Sequence, residues 1–200
     1  DSNSSSNAYS VEVSDTAVTA GDLKALDLRT TGTITATDAT SISGALSDVK
    51  SLYESNVSGG LTGLGNEAVT ITDTGTVSAS AINYVNSNTS GALTLTKATT
   101  ITGTVADVKA TYAAYSSGTI TGLGNEAITI VDLGTTITSS VLAELKALTT
   151  GNVTVSLSGT TITATDLNTL DTDSTESVNA GGVTTITGSS ADVKKAYEST

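Results

Sequence analysis

The stretch SISGALSDVKSLY, Ser41 to Tyr53, changes its period halfway along. Ile42 stands between Ser41 and Ser43, the apolar and polar alternation of a strand with one buried face. Leu46, Val49 and Tyr53 then follow at i, i+3 and i+7, the spacing of a short amphipathic helix. The same passage from strand to helix returns as TITGTVADVKATY, Thr100 to Tyr112, and as TITGSSADVKKAY, Thr185 to Tyr197.

The first two copies end at Tyr53 and Tyr112, and LTGLGNEAVTI from Leu61 and ITGLGNEAITI from Ile120 repeat at that same interval. Between them fall further helix-like segments: DLKAL at Asp22, AINYV at Ala81, VLAELKAL at Val141 and DLNTL at Asp166. The apolar anchors Leu23, Val49, Ile82, Val108, Leu142, Leu167 and Val193 mark seven such units. A unit of this size cannot bury its own apolar face, so neighbours must stack. The expectation is an α/β solenoid, a Thr-rich parallel β-solenoid of about seven coils with a short helix per coil. Residues 1–8 read as a Ser/Asn-rich N-terminal arm, and residues 9–200 as a single repeat domain with a long repeat of about 59 residues.

Helix boundaries carry their own signals. Thr19 with Asp22, Thr104 with Asp107, Thr163 with Asp166 and Ser189 with Asp192 have the spacing of a capping box. Gly32, Gly91, Gly118 and Gly151 fall where a left-handed residue would end each helix.

Composition narrows the function. The core must be built from Val, Ile, Leu and Ala, because the chain has six Tyr and no Phe, Trp or Met. A net charge of −12 with only eight basic residues opposes binding to nucleic acid and to anionic membranes. No apolar run is long enough for membrane insertion. Without Cys or His, nucleophilic and general-base chemistry have little to draw on, so no catalytic residues and no enzyme activity are expected. A start at Asp1 reads as the product of processing or of a cut from a longer chain, and the absence of oxidisable side chains suits an extracellular or cell-surface place.

Two surface motifs invite ligands. Thr-x-Thr pairs recur at Thr70/Thr72, Thr94/Thr96, Thr100/Thr102 and Thr119/Thr121, and on parallel strands they would form a grid of hydroxyl and methyl groups. This resembles the threonine ranks of ice-binding β-solenoids, which implies an ice or polysaccharide surface. The turns GLGNE at Gly63 and Gly122 loosely resemble calcium-binding nonapeptide repeats, which makes Asn66, Glu67, Asn125 and Glu126 candidate calcium ligands. A glycine-permitted corner accounts for the same residues. No other cofactor is expected.

The alternation of ITGTVADVKATY, GLGNEAITI and DLNTLD resembles the long tandem arrays of very large cell-surface or secreted proteins of marine picocyanobacteria. The resemblance implies an extracellular repeat protein of adhesin or surface-layer type. Neither end of the array carries a polar cap: Tyr9, Val11 and Val13 alternate as a strand, and Val193 and Tyr197 lie on a complete helix. End-to-end self-association into a filament is the expected consequence, and a Thr-faced binding module is the alternative.

Overall fold

The computed structural model of the chain describes residues 7–132, 139–157, 161–173 and 178–198. The expected seven helices are present: α1 (Ala20–Asp27), α2 (Leu46–Ser58), α3 (Ala79–Asn88), α4 (Val105–Ser117), α5 (Ser139–Lys146), α6 (Ala164–Asp173) and α7 (Ser190–Glu198). Each carries one of the apolar anchors, and those of α1 to α5 are buried. Two compact units divide the chain, Asp1–Ala98 with Ala113–Leu123, and Thr99–Tyr112 with Gly124–Thr200.

In the first unit, β1 (Val11–Glu12), β3 (Ile34–Thr35) and β5 (Leu61–Thr62) form one parallel sheet. β2 (Ala17–Thr19), β4 (Ser41–Gly44), β6 (Ala68–Ile71), β8 (Leu93–Thr94) and β10 (Ile120–Thr121) form another, in the order β10-β8-β6-β4-β2. β7 (Thr76–Ser78) leads into α3. In the second unit, β9 (Thr100–Gly103), β11 (Ala127–Asp132), β12 (Val153–Leu157) and β14 (Val178–Asn179) lie side by side in the order β14-β12-β11-β9. β13 (Thr161–Thr163) pairs with β15 (Thr185–Thr187).

This arrangement overturns the expectation of one stacked Thr-rich solenoid of about seven coils. The fold is α/β, with its strands shared among several separate parallel sheets. The physical reason lies between α2 and α3, where the chain makes three strands, β5, β6 and β7, while α1 and α2 are separated by two. After the added strand, the first strand to follow a helix leaves the sheet of β1, β3 and β5, and β8 and β10 join that of β4 and β6. Thus β4 lies in the sheet of β2 and β6, whereas its counterpart one long repeat on, β9, lies in that of β11. Equivalent strands of successive repeats therefore do not form one continuous column, as a single stack requires.

Alternation survives within each sheet. Register aligns Val18, Ile42, Val69, Leu93 and Ile120 across the five strands, and all five side chains are buried. Ile101, Ile128 and Val153 make the matching buried row of the second unit. Val, Ile, Leu and Ala make up most of the core as expected, and Tyr53 and Tyr112 are its largest fully buried side chains.

The four expected hydroxyl–acid pairs all form. Thr104 Oγ1 accepts from the Asp107 N–H at 3.1 Å and donates to its carboxylate at 2.8 Å, and the same pair of bonds occurs at Thr19, Thr163 and Ser189. Helix α2 differs, for its N-cap is Ala45, which makes no side-chain cap. Its first N–H, on Leu46, instead donates to Asp73 Oδ2 at 2.7 Å, so an acid far downstream in sequence closes the helix end. Thr104→Ala and Asp73→Ala should each cost about 1 kcal/mol, seen as an earlier midpoint in urea unfolding, while Thr104→Ser should stay near the parent.

Candidate functional site

Three corners of the chain repeat one backbone arrangement. After α3, Thr89 Oγ1 donates to the Glu67 carbonyl at 2.7 Å and accepts from the Gly91 N–H at 3.0 Å, while the Ser90 N–H donates to the Gly65 carbonyl at 2.8 Å. After α5, Thr149 donates to the Glu126 carbonyl at 2.6 Å and accepts from Gly151 at 2.9 Å, and Thr150 donates to Gly124 at 2.9 Å. After α1, Thr30 bonds the Asn7 and Tyr9 carbonyls and accepts from Gly32 at 3.0 Å.

The glycines at these corners differ from expectation. Gly118 has the left-handed φ of 84°, as does Gly59 at 88°, but Gly32, Gly91 and Gly151 do not. They are glycine because a Cβ would collide with the backbone carbonyl of Tyr9, Glu67 or Glu126. Close approach, and not helix termination, selects the residue there.

The two glutamates expected as calcium ligands are buried, and the asparagines beside them, Asn66 and Asn125, are exposed. Glu67 Oε1 and Oε2 accept from the Gly65 N–H at 2.8 and 2.9 Å, and Oε2 also accepts from Tyr53 Oη at 2.9 Å. In the second unit Glu126 Oε2 accepts from the Gly124 N–H at 2.8 Å and from Tyr112 Oη at 3.2 Å. The carboxylate oxygens thus face N–H and O–H donors. Calcium would ask about six to eight oxygens to converge, and no group of three or more acidic side chains suited to a metal exists among the described residues. What the arrangement does is fasten the glycine turn to the tyrosine of the preceding helix.

Burial is the larger cause, and the charge of Glu67 the next, that pushes the Tyr53 phenol well above its ordinary value near 10. The neutral phenol is therefore favoured in the folded state. That preference is fully present below pH about 10 and is lost as pH rises from there through the higher folded value.

The Thr surface is divided. Thr70, Thr94 and Thr121 share one register row with Thr19 and Ser43 on the five-stranded sheet. Their side chains are exposed or half-buried, and Thr94 and Thr121 hydroxyls lie 3.1 Å apart. Thr19 and Ser43 were not among the expected face residues. Their signal was available in the spacing, for the interval from Thr19 to Ser43 equals that from Thr70 to Thr94, and the interval from Ser43 to Thr70 equals that from Thr94 to Thr121. Thr72 and Thr96 lie just beyond the ends of β6 and β8, and Thr119 Oγ1 donates to the Ala114 carbonyl at the exit of α4. Thr102 belongs to a row of the second unit with Thr129 and Thr154, and Thr100 pairs with Ala127. In place of one grid, the five-stranded sheet carries a row of five, the second unit a row of three, and β13 with β15 a patch in which Thr161 and Thr163 stand beside Thr185 and Thr187.

Of the expected assembly residues, Tyr9 and Tyr197 are exposed, and Val11, Val13 and Val193 are half-buried. No helix among the described residues is long and apolar enough to cross a membrane. No protein-family model matches the chain, and no curated protein or solved structure does either.

Truncation of the buried carboxylate leaves two donors without an acceptor. Glu67→Ala should cost about 2–3 kcal/mol and Glu67→Gln less, measured by chemical unfolding. Stability of the parent should also fall above pH about 10, and Tyr53→Phe should flatten that fall in unfolding curves taken from neutral to alkaline pH.

Proposed function

We propose that this chain is a structural repeat protein of an extracellular surface, without enzymatic activity, whose copies associate end to end. The observation that carries the reading is the pair of open edges in the first unit. Among the described residues β1 hydrogen-bonds only to β3 and β2 only to β4, so one side of each strand presents unpaired backbone groups to a further parallel strand. A contact between unlike surfaces that does not close on itself extends indefinitely.

A second reading is favoured by the row Thr19, Ser43, Thr70, Thr94 and Thr121, which would offer ice or a polysaccharide hydroxyl groups at about 4.8 Å intervals. The two readings differ in what concentration does. Sedimentation velocity of the purified chain should show average mass rising with protein concentration, and rising further with salt, which screens the repulsion between chains of net charge −12. A constant monomer mass overturns end-to-end association. Ice shaping or polysaccharide retention by that monomer, abolished by Thr70→Val with Thr94→Val, would establish the second reading in its place.

A further inference from the structure

We propose that successive copies join through a split repeat, with α7 of one copy seated against β2 and α1 of the next so that the step from α2 to α3 is rebuilt between molecules. This rests on the end-to-end reading above and names its surfaces.

The receiving surface is half of a step seen whole elsewhere. SVEVSDTAVTAGDLKAL, from Ser10, repeats AVTITDTGTVSASAINYV, from Ala68, with one residue inserted. Val13 answers to Ile71, Asp15 to Asp73, Val18 to Val77, Leu23 to Ile82 and Leu26 to Val85. The corner bonds agree, since Thr30 and Gly32 treat the Tyr9 carbonyl as Thr89 and Gly91 treat that of Glu67. Tyr9 therefore occupies the position of Glu67. Ile71 and Val85 are buried, whereas Val13 and Leu26 are half-exposed. They line a groove of about 260 Å³ together with Val18, Leu23 and the acids Asp15 and Asp22.

The inserting surface is the other half. DVKKAY of α7 repeats DVKSLY of α2 and DVKATY of α4. Tyr53 and Tyr112 are 0% and 1% exposed, closed over by the glutamate segments that follow them, but Tyr197 is 70% exposed. Val49 and Val108 are buried, and Val193 is half-exposed.

Setting α7 in the place of α2 assigns each contact. Asp15 of the following copy caps the Ser190 N–H, as Asp73 caps Leu46. Tyr9, itself 69% exposed, covers Tyr197 as Glu67 covers Tyr53. Lys194 corresponds to Lys50, which lies over the Tyr84 ring, and to Lys109, which pairs with Glu144. On α1 the facing position is Ala25, one turn from Asp22, so the lysine meets the acidic rim of the groove. The positive charge of Lys194, which also lies 3.5 Å from its own Glu198, and the acidic rim of the groove are of opposite sign in a chain that is otherwise strongly acidic.

The chain has no cysteine, so single Cys variants report proximity directly. Tyr9→Cys and Tyr197→Cys, mixed and treated with a short bismaleimide, should give a cross-linked heterodimer well above the yield from Tyr9→Cys mixed with Val57→Cys, another exposed site. Asp15→Lys, placing a positive charge at the helix N-terminus, should abolish both the cross-link and the rise in mass, with an unchanged circular dichroism spectrum. If the parent assembles while the cross-link stays at the control yield and Asp15→Lys assembles equally, this junction is wrong and the end-to-end reading stands. If the parent remains a monomer, both fail.

Discussion

The approach of a glycine backbone to a carbonyl one repeat step earlier governs how this chain is laid down. Gly91 lies so close to the Glu67 carbonyl that no side chain fits, and the Thr89 hydroxyl ties the two together. The chain leaving α3 is thereby delivered beside its own earlier path. Ser90 bonds to Gly65, Val69 to the Ala92 carbonyl, and β8 settles alongside β6. The corner after α5 does the same for β12 beside β11, and the corner after α1 for β3 beside β1. Parallel pairing must be specified at a distance in sequence, because no tight turn can join parallel neighbours. Here a threonine, a hydroxyl or small residue and a glycine do the specifying.

The side chain of the clasped residue adds a second constraint. Glu67 and Glu126 are carried on the same residues whose carbonyls meet the glycines, and their carboxylates reach the tyrosines of α2 and α4. Strand corner and helix face are thus fixed by one residue acting through backbone and side chain together. A hydrophobic residue would fill the space but could not accept from the Gly65 N–H, which points inward because Gly65 has a φ of 142°. The buried charge is the complement of a turn that exposes a donor to the interior.

The alternation of Ile and Val with Thr and Ser made the strands legible, the i, i+3, i+7 spacing made α2 and α4 legible, and the repeated segments DVKKAY, DLKAL, AINYV, VLAELKAL and DLNTL marked the other helices, since all follow from local pattern. The caps at Thr19, Thr104, Thr163 and Ser189 could be read for the same reason. Partition among sheets could not, because it depends on whether a segment without a helix, Leu61 to Ser78, holds two strands or three. The role of Asp73 was hidden likewise, its partner Leu46 lying far upstream in sequence. Glu67 and Glu126 stood out as part of a repeated motif, but the donors their carboxylates meet could not be read from the glycines around them. A loop rich in glycine, asparagine and glutamate presents oxygen to a cation or accepts bonds from itself, and only the direction of the carboxylate distinguishes these.

Substitution at the clasped position follows its surroundings. Where a helix of the α2 type precedes the clasp within one unit, the residue is Glu, and a tyrosine hydroxyl and a glycine N–H occupy its oxygens. At the first corner the residue is Tyr9, and Asn7 stands where Gly65 would be, so the inward N–H turn that calls for a carboxylate is replaced by a residue with its own side chain. An isolated glutamate there would expose its charge to no donor, in a chain already carrying 20 acidic residues. An aromatic ring retains the backbone role of the clasp, which needs only a carbonyl, and exchanges the polar function of the side chain for apolar area. That exchange is favourable where the ring is to be covered by another apolar surface and carries a hydration cost where it is not.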